Sequence, residues 1–257
     1  ATREWQAGVT FIPDPAIQDF LTSTYERGLV MEGHLEGRSG RVLQAGVAMG
    51  ARSDHEVANG EEAMERARLG MAVQARQSTC MWDLENVVQA LVENKDIDSR
   101  SFAFSTDEME ADEIYRDGHV DNRIRLAVTA GVDPLVAVQM ATINPAQFYR
   151  VDHQFGSLTP GRIATVVFLE ELKDFKVGKV VADGKLVAEN GVYFGNISRP
   201  EYPKSAYKTM NVKGPLTPES FRVTAPNGKS KVKVNVIGIR EGSILTDALV
   251  NEVPVVD

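Results

Sequence analysis

Short apolar runs alternate with amphipathic stretches over residues 1–150. "GLVMEGH" (28–34) is an apolar run closed by a glycine and a polar residue, the pattern of a buried strand. "GARSDH" (50–55) repeats that form in a shorter version. "NGEEAMERARLG" (59–70) predicts a helix with acids in its first turn, bases later and Gly70 as its stop. "MAVQARQS" (71–78) alternates as a strand does, and "MWDLENVVQALVENKD" (81–96) carries apolar residues at helical spacing. A further strand is expected in "SFAFSTD" (101–107). Two helical stretches follow, "VDNRIRLAVTAG" and "DPLVAVQMATINPAQFY", with Asp133 suited to an N-cap and Pro134 to the first helical position.

Strand, polar tip and helix in repetition are the sequence form of parallel βα units. A doubly wound sheet would share the pattern. A (β/α) barrel fits better because His34, His55 and Asp107 each fall at the carboxyl end of an expected strand, the face on which barrels collect their chemistry. The fold class is therefore α/β, the C-terminal part of a (β/α)8 TIM-type barrel, over residues 1–150. After that the pattern loses helical periodicity and gains Val, Gly and Asp-Gly turns. Residues 151–200 read as a small β-domain segment, with a hairpin at "ADGK". Residues 201–257 read as the start of a β-rich C-terminal domain, with a second hairpin expected around Asn227–Gly228.

Composition changes little in this picture and excludes some partners. Hydrophobic residues make up 43% and charged ones 25%, ordinary for a globular chain of 257 residues. The net charge of −8 argues against nucleic acid or an anionic membrane surface, and no apolar run reaches the roughly twenty residues of a membrane span. Cys80 is the only cysteine, so no disulfide can close within the chain, and a reducing cytoplasm is the natural compartment. The chain opens on "ATREWQAGV" and closes on "NEVPVVD", from which we expect a piece of a longer polypeptide.

The chemistry concentrates at the strand tips: "EGH" with His34, "SDHE" with His55 and Glu56, "STDE" with Asp107. Neutral imidazole and carboxylate are ligand types for Zn, Fe or Mn. Three separate strand ends could converge on one cation, which lowers the pKa of bound water toward neutrality. Glu56, beside a ligand, suits proton transfer. Taken singly, each residue also has a plain structural reading, as a surface histidine, a cap or a solvated carboxylate. His119 and Asp121 mark a helix start, His153 sits in a polar linker, and Asp54 is read as structural.

The stretches "GLVMEGHLEGRSG", "ARSDHEVANGEEAMERARLGM", "FSTDE", "DGHVDNRIRLAVTAGVDPLVAVQMATINPAQFY", "GSLTPGRIATVVFLEEL" and "VADGKLVAENG" follow one another as in bacterial adenine deaminases of the amidohydrolase superfamily. The resemblance covers nearly the whole chain. It implies a (β/α)8 barrel with a divalent metal site, dinuclear and holding Fe or Mn (Zn being compatible). It implies that His34 and His55 bind metal, and that Asp107 binds metal and accepts a proton from the attacking water. Glu56 would protonate the purine ring as water adds at C6, turning adenine into hypoxanthine and ammonia. Glu4 stands at about the right distance before His34 to match the family's bridging glutamate.

The departures carry information too. The family's HxH pair, and the small β strands before it, have no counterpart here, and only about half of the barrel strands are present. We therefore expect the site to be completed by a preceding segment or by a partner, with a homo-oligomer as one form. "GHLEGRSG" replaces the usual loop and places Glu36 and Arg38 near the metal mouth, where they would contact substrate. Glu108 stands where a second Asp is common, and Thr165 where the superfamily usually has Asp. A different amidohydrolase reaction on a cyclic amide or amine, and a non-catalytic binding descendant, are the alternative readings.

Overall fold

The computed structural model describes residues 14–243 and 246–256. Its centre is a four-stranded parallel sheet whose spatial order is the chain order: β1 (Met31–Gly33), β2 (Ala51–Asp54), β3 (Ala72–Arg76) and β4 (Phe102–Ser105). Each crossover carries a helix: α2 (Gly40–Ala48), α3 (Gly60–Arg68) and α4 (Leu84–Glu93), while α1 (Pro15–Glu26) precedes β1. α5 (Ala111–Asp117), α6 (Val120–Thr129), α7 (Pro134–Ala141) and α8 (Ile143–Phe148) follow β4. The expected strands and helices between 28 and 141 thus form, each trimmed by a few residues at its ends.

Local chemistry explains the boundaries. Asn59 accepts a hydrogen bond from Glu62 N at 3.0 Å and caps α3, whose first turn holds Glu61 and Glu62 and whose last holds Arg66 and Arg68. Asp133 caps α7 by accepting from Leu135 N and Val136 N, with Pro134 at the first helical position as expected. The single helix expected across 133–149 is broken at Thr142, because Pro145 has no N–H to carry the ladder onward. The break has a use. Asn144 is buried there, and its Nδ2 donates to Ser99 O and Phe102 O, both at 2.9 Å, tying α8 to the start of β4. No element is read from the sequence at 35–49, yet α2 forms, burying Leu43 and Gly46 three residues apart on one face.

Two apolar clusters hold this layer. The larger joins β3 and β4 (Val73, Ala75, Phe102) to α4, α6 and α7 (Leu84, Val87, Val88, Ile124, Ala127, Ala137, Met140). The smaller gathers Leu21, Leu35, Leu43, Ala51 and Met71 around the start of the sheet. A separate antiparallel sheet follows, β5 (Val166–Glu171), β6 (Lys176–Ala182), β7 (Lys185–Glu189) and β8 (Val192–Tyr193). The expected hairpin at "ADGK" joins β6 to β7. Its central residues Asp183 and Gly184 have φ of 49° and 73°, as a tight turn matched to strand twist requires. This sheet and the parallel one belong to one compact unit, which among the described residues comprises 14–193 with 241–243.

The other unit comprises, among the described residues, 194–240 and 246–256. It contains an antiparallel ribbon, β9 (Lys231–Ile239) with β10 (Thr246–Pro254). This corrects one expectation. Asn227–Gly228 is a turn but not a hairpin: the run before it includes Pro226 and forms no strand, and the alternating β9 pairs with the segment after it.

Candidate metal centre

β1 ends at Gly33 and β2 at Asp54, so His34 and the pair His55–Glu56 leave neighbouring strand tips side by side. The two imidazoles tilt against each other with centroids 5.1 Å apart. One carboxylate oxygen, Glu56 Oε1, lies 2.6 Å from His34 Nε2 and 3.6 Å from His55 Nε2. These three side chains offer ligand atoms all within 4.8 Å of one another. His34 Nδ1 is buried without a hydrogen-bond partner among the described residues, so the Nε2 end carries that ring's polar contact. Two convergent imidazole nitrogens suit a divalent transition metal, and the Glu56 carboxylate stands close enough either to bind such an ion or to carry a proton beside it, so the residues fit such an ion.

A fully buried ion pair underlies this corner. Asp54 Oδ1 accepts from Leu35 N at 3.2 Å and Glu56 N at 3.0 Å, the residues that follow each histidine. Asp54 Oδ2 accepts from Arg66 Nε at 3.0 Å, and Arg66 Nη2 donates to Leu35 O and Arg38 O, each at 3.0 Å. Asp54 is thus structural, as read from the sequence. Glu36 and Arg38 lie in the turn that Arg66 holds by its backbone.

Asp107 is not in the three-residue group. It has a left-handed φ of 49°, a conformation costly for an aspartate and common at functional positions. It joins the site through Arg76, the last residue of β3. Arg76 Nη1 donates to Glu56 Oε2 at 2.8 Å and to Asp107 Oδ2 at 3.2 Å. Its Nε and Nη2 both donate to Asp83 Oδ2, at 3.0 and 2.6 Å. Burial would lower the Arg76 pKa, but hydrogen bonds and attraction from Asp83 and Glu56 outweigh it and hold it above the usual arginine range. Burial also raises the Asp83 carboxyl, against the pull of Arg76.

Neighbouring loops are tied to these groups. Glu108 Oε1 accepts from Ser78 Oγ at 2.8 Å and Cys80 N at 3.1 Å, linking the loops after β3 and β4. Arg123, buried on α6, donates to Gln77 O and, at 3.2 Å, to His119 O. Two residues before His34, Glu32 accepts from Ser53 Oγ, Tyr149 Oη and, at 3.3 Å, Gln74 Nε2. His119 precedes α6, its N–H donating to Asp121, and His153 contacts Gln154. Glu4 lies outside the described residues.

Sequence reasoning missed Arg66, Arg76, Asp83 and Arg123. For Arg76 a signal existed: it closes an apolar strand, the same position class that singled out the other tips. Arg66 repeats the spacing of buried Ala63, so a base on the apolar face of α3 was also legible.

Residues 83–187 match the model of the Amidohydrolase family. The chain is 38% identical to an adenine deaminase from Clostridium botulinum over 90% of its own length and 38% of that protein. It is 34% identical to adenine deaminases from Mesorhizobium japonicum (95% of this chain, 40% of that protein) and Moorella thermoacetica (95% and 41%). The chain thus spans about two fifths of the length of these curated relatives. In fold it is similar to the solved structure of molinate hydrolase, with a TM-score of 0.53 at 14% identity over 74% of this chain and 50% of that one. N-acetyl-D-glucosamine-6-phosphate deacetylase from Mycobacterium smegmatis gives 0.51 at 18% identity, covering 68% and 52%.

Proposed function

We propose, for a chain that belongs to the amidohydrolase superfamily and within it aligns with the adenine deaminases, that the protein hydrolyses adenine or a related aminopurine to hypoxanthine and ammonia. The observation that carries this reading is the meeting of His34 Nε2, His55 Nε2 and the Glu56 carboxylate at one point. His34, His55 and Asp107 would hold the metal together with Glu4, and Fe or Mn in a dinuclear site is the assignment, with Zn also suited to the donors. A cation bound there lowers the pKa of water toward neutrality.

The chain's own groups then move the protons. Glu56, buried beside the ligands, protonates the purine ring nitrogen as a C6–O bond forms. Asp107, exposed at its left-handed turn, takes a proton from the attacking water and passes it to the amino group, which leaves as ammonia when the C6–N bond breaks. As ammonia leaves, the proton still on the new C6 oxygen returns to Glu56, so that in net terms one water proton ends on the ring and one on ammonia. Glu36 and Arg38 are assigned to the substrate mouth.

We assign residues 1–150 to the C-terminal part of the barrel, 151–200 to a small β-domain segment and 201–257 to the start of a β-rich domain. The protein would act on small purines in the cytoplasm, as part of a longer polypeptide or an oligomer. Among the described residues, no helix is long and apolar enough to cross a membrane. The test is ammonia release from adenine by the full-length protein loaded with Mn or Fe. No turnover at intact metal content would refute the substrate assignment.

A further inference from the structure

Arg76 is 2% exposed and forms ion pairs with three carboxylates, Glu56, Asp83 and Asp107. Its guanidinium has five N–H donors in one plane, and Asp83 takes those on Nε and Nη2. That double contact fixes the plane and leaves Nη1, whose two hydrogens reach Glu56 and Asp107. Both carboxylates are therefore held by one nitrogen, at 2.8 and 3.2 Å. Without a cation between them they would repel each other and turn toward any other positive charge.

The nearest such charge would be a metal at the histidines. Glu56 Oε1 already lies 2.6 Å from His34 Nε2, within easy reach of an ion held there. A carboxylate drawn fully onto the ion gives up the lone pair that carries a proton to substrate. Arg76 pulls on Oε2, the other oxygen.

We propose that Arg76, clamped by Asp83, is a positioning residue that keeps Glu56 out of the metal's ligand set and aligned with Asp107 for proton transfer. The inference rests on the deaminase reading for its kinetic arm only. The experiment compares R76M, R76K and D83N with wild type in the full-length protein, measuring Mn2+ affinity by titration and kcat and KM for adenine. In R76M the carboxylates lose their competing cation, so Mn2+ binds about threefold or more tighter, while kcat falls about 100-fold and KM stays within about threefold. R76K keeps the charge without the planar fork and lies between, and D83N follows R76K.

Unchanged or weakened Mn2+ binding in R76M overturns the proposal, because Arg76 would then be only a structural brace. A rise in KM with kcat preserved also overturns it. Should R76M fail to fold, R76K and D83N carry the same two readouts, and wild-type values for both refute it. A wild-type protein that binds Mn2+ but leaves adenine intact refutes the deaminase reading, while the affinity arm still decides the role of Arg76.

Discussion

Replacing Arg66 with methionine tests whether the ion pair beneath the histidines is what holds them in place. Arg66 and Asp54 are both 0% exposed. The substitution keeps much of the side-chain bulk but leaves the Asp54 carboxylate with the N–H groups of Leu35 and Glu56 as its donors. It also takes a donor from the carbonyls of Leu35 and Arg38. Removing one partner of a buried pair costs about 3–5 kcal/mol. A buried carbonyl left without a donor adds about 1–3 kcal/mol, less where water can reach it, as at the turn carrying Arg38. We expect a loss of about 4–8 kcal/mol, a large share of the roughly 5–15 kcal/mol typical of a folded protein.

The pair, rather than either residue alone, should set that loss. In the double variant Asp54→Asn with Arg66→Met the buried charge is gone, and about 2 kcal/mol or more should return. Urea unfolding of the wild type, both singles and the double gives the coupling directly. A second readout follows from geometry. One oxygen, Asp54 Oδ1, holds the amides of Leu35 and Glu56, so its displacement loosens both histidine tips at once. Metal affinity should drop about 10–100-fold in R66M under conditions where it remains folded. An R66M protein destabilised by less than about 1 kcal/mol, or a double variant no better than the single, would refute this reasoning.

Three further outcomes are expected. Glu56→Gln should retain metal while turnover falls by about 100-fold or more, since amide cannot carry the proton; retained activity with a full metal complement removes Glu56 from the mechanism. Asn144→Ala strips the donor from two carbonyls at the start of β4 and should cost about 2–3 kcal/mol in urea unfolding, a null effect showing that α8 is not anchored there. Tyr149 is pushed up to about 12 by burial and by the Glu32 carboxylate that accepts its O–H, above its ordinary 10.0. With a raised folded value, its contribution is complete below pH 10 and lost as pH climbs toward 12. Because the residue is 43% exposed, that contribution is about 1 kcal/mol at most. The stability gap between wild type and Tyr149→Phe should close across this window, and a gap constant through it would contradict the assignment.

What could be read from the sequence follows from how each signal is built. α3 announces itself through its charge pattern and Gly70 stop and α4 through apolar spacing, and the turn at Asp183–Gly184 through its need for positive φ. α2 escapes notice because Gly40, Gly46 and Gly50 punctuate it like a loop. Gly46 packs tightly against the turn after β1, where a methyl group would stand 3.1 Å from Leu35 Cδ2. Metal-type residues at strand tips are legible because His34, His55 and Asp107 fall at the ends of three separate expected strands. Buried arginines are harder to read: Arg66 and Arg76 stand at positions that point inward, but an arginine defaults to a solvated reading until its partners are known. Asp83 supplies Arg76 with its clamp from seven residues downstream, and no pattern in one dimension links them.

The run Ser53–Asp54–His55–Glu56 shows why the end of a strand, and not its middle, carries this chemistry. Within a strand, successive side chains point to opposite faces, so His55 and Glu56 could not approach one point. Inside β2 that rule holds: Ser53 donates to Glu32, while Asp54 takes Arg66 and the turn after β1. β2 stops at Asp54, and the Asp54 side chain itself makes the stop, accepting Glu56 N two residues on. Released from the pleat, His55 and Glu56 turn to the same side and come within 3.6 Å of each other beside His34. A substitution that prolonged β2 would therefore separate ligand from proton carrier even with every residue of the site retained.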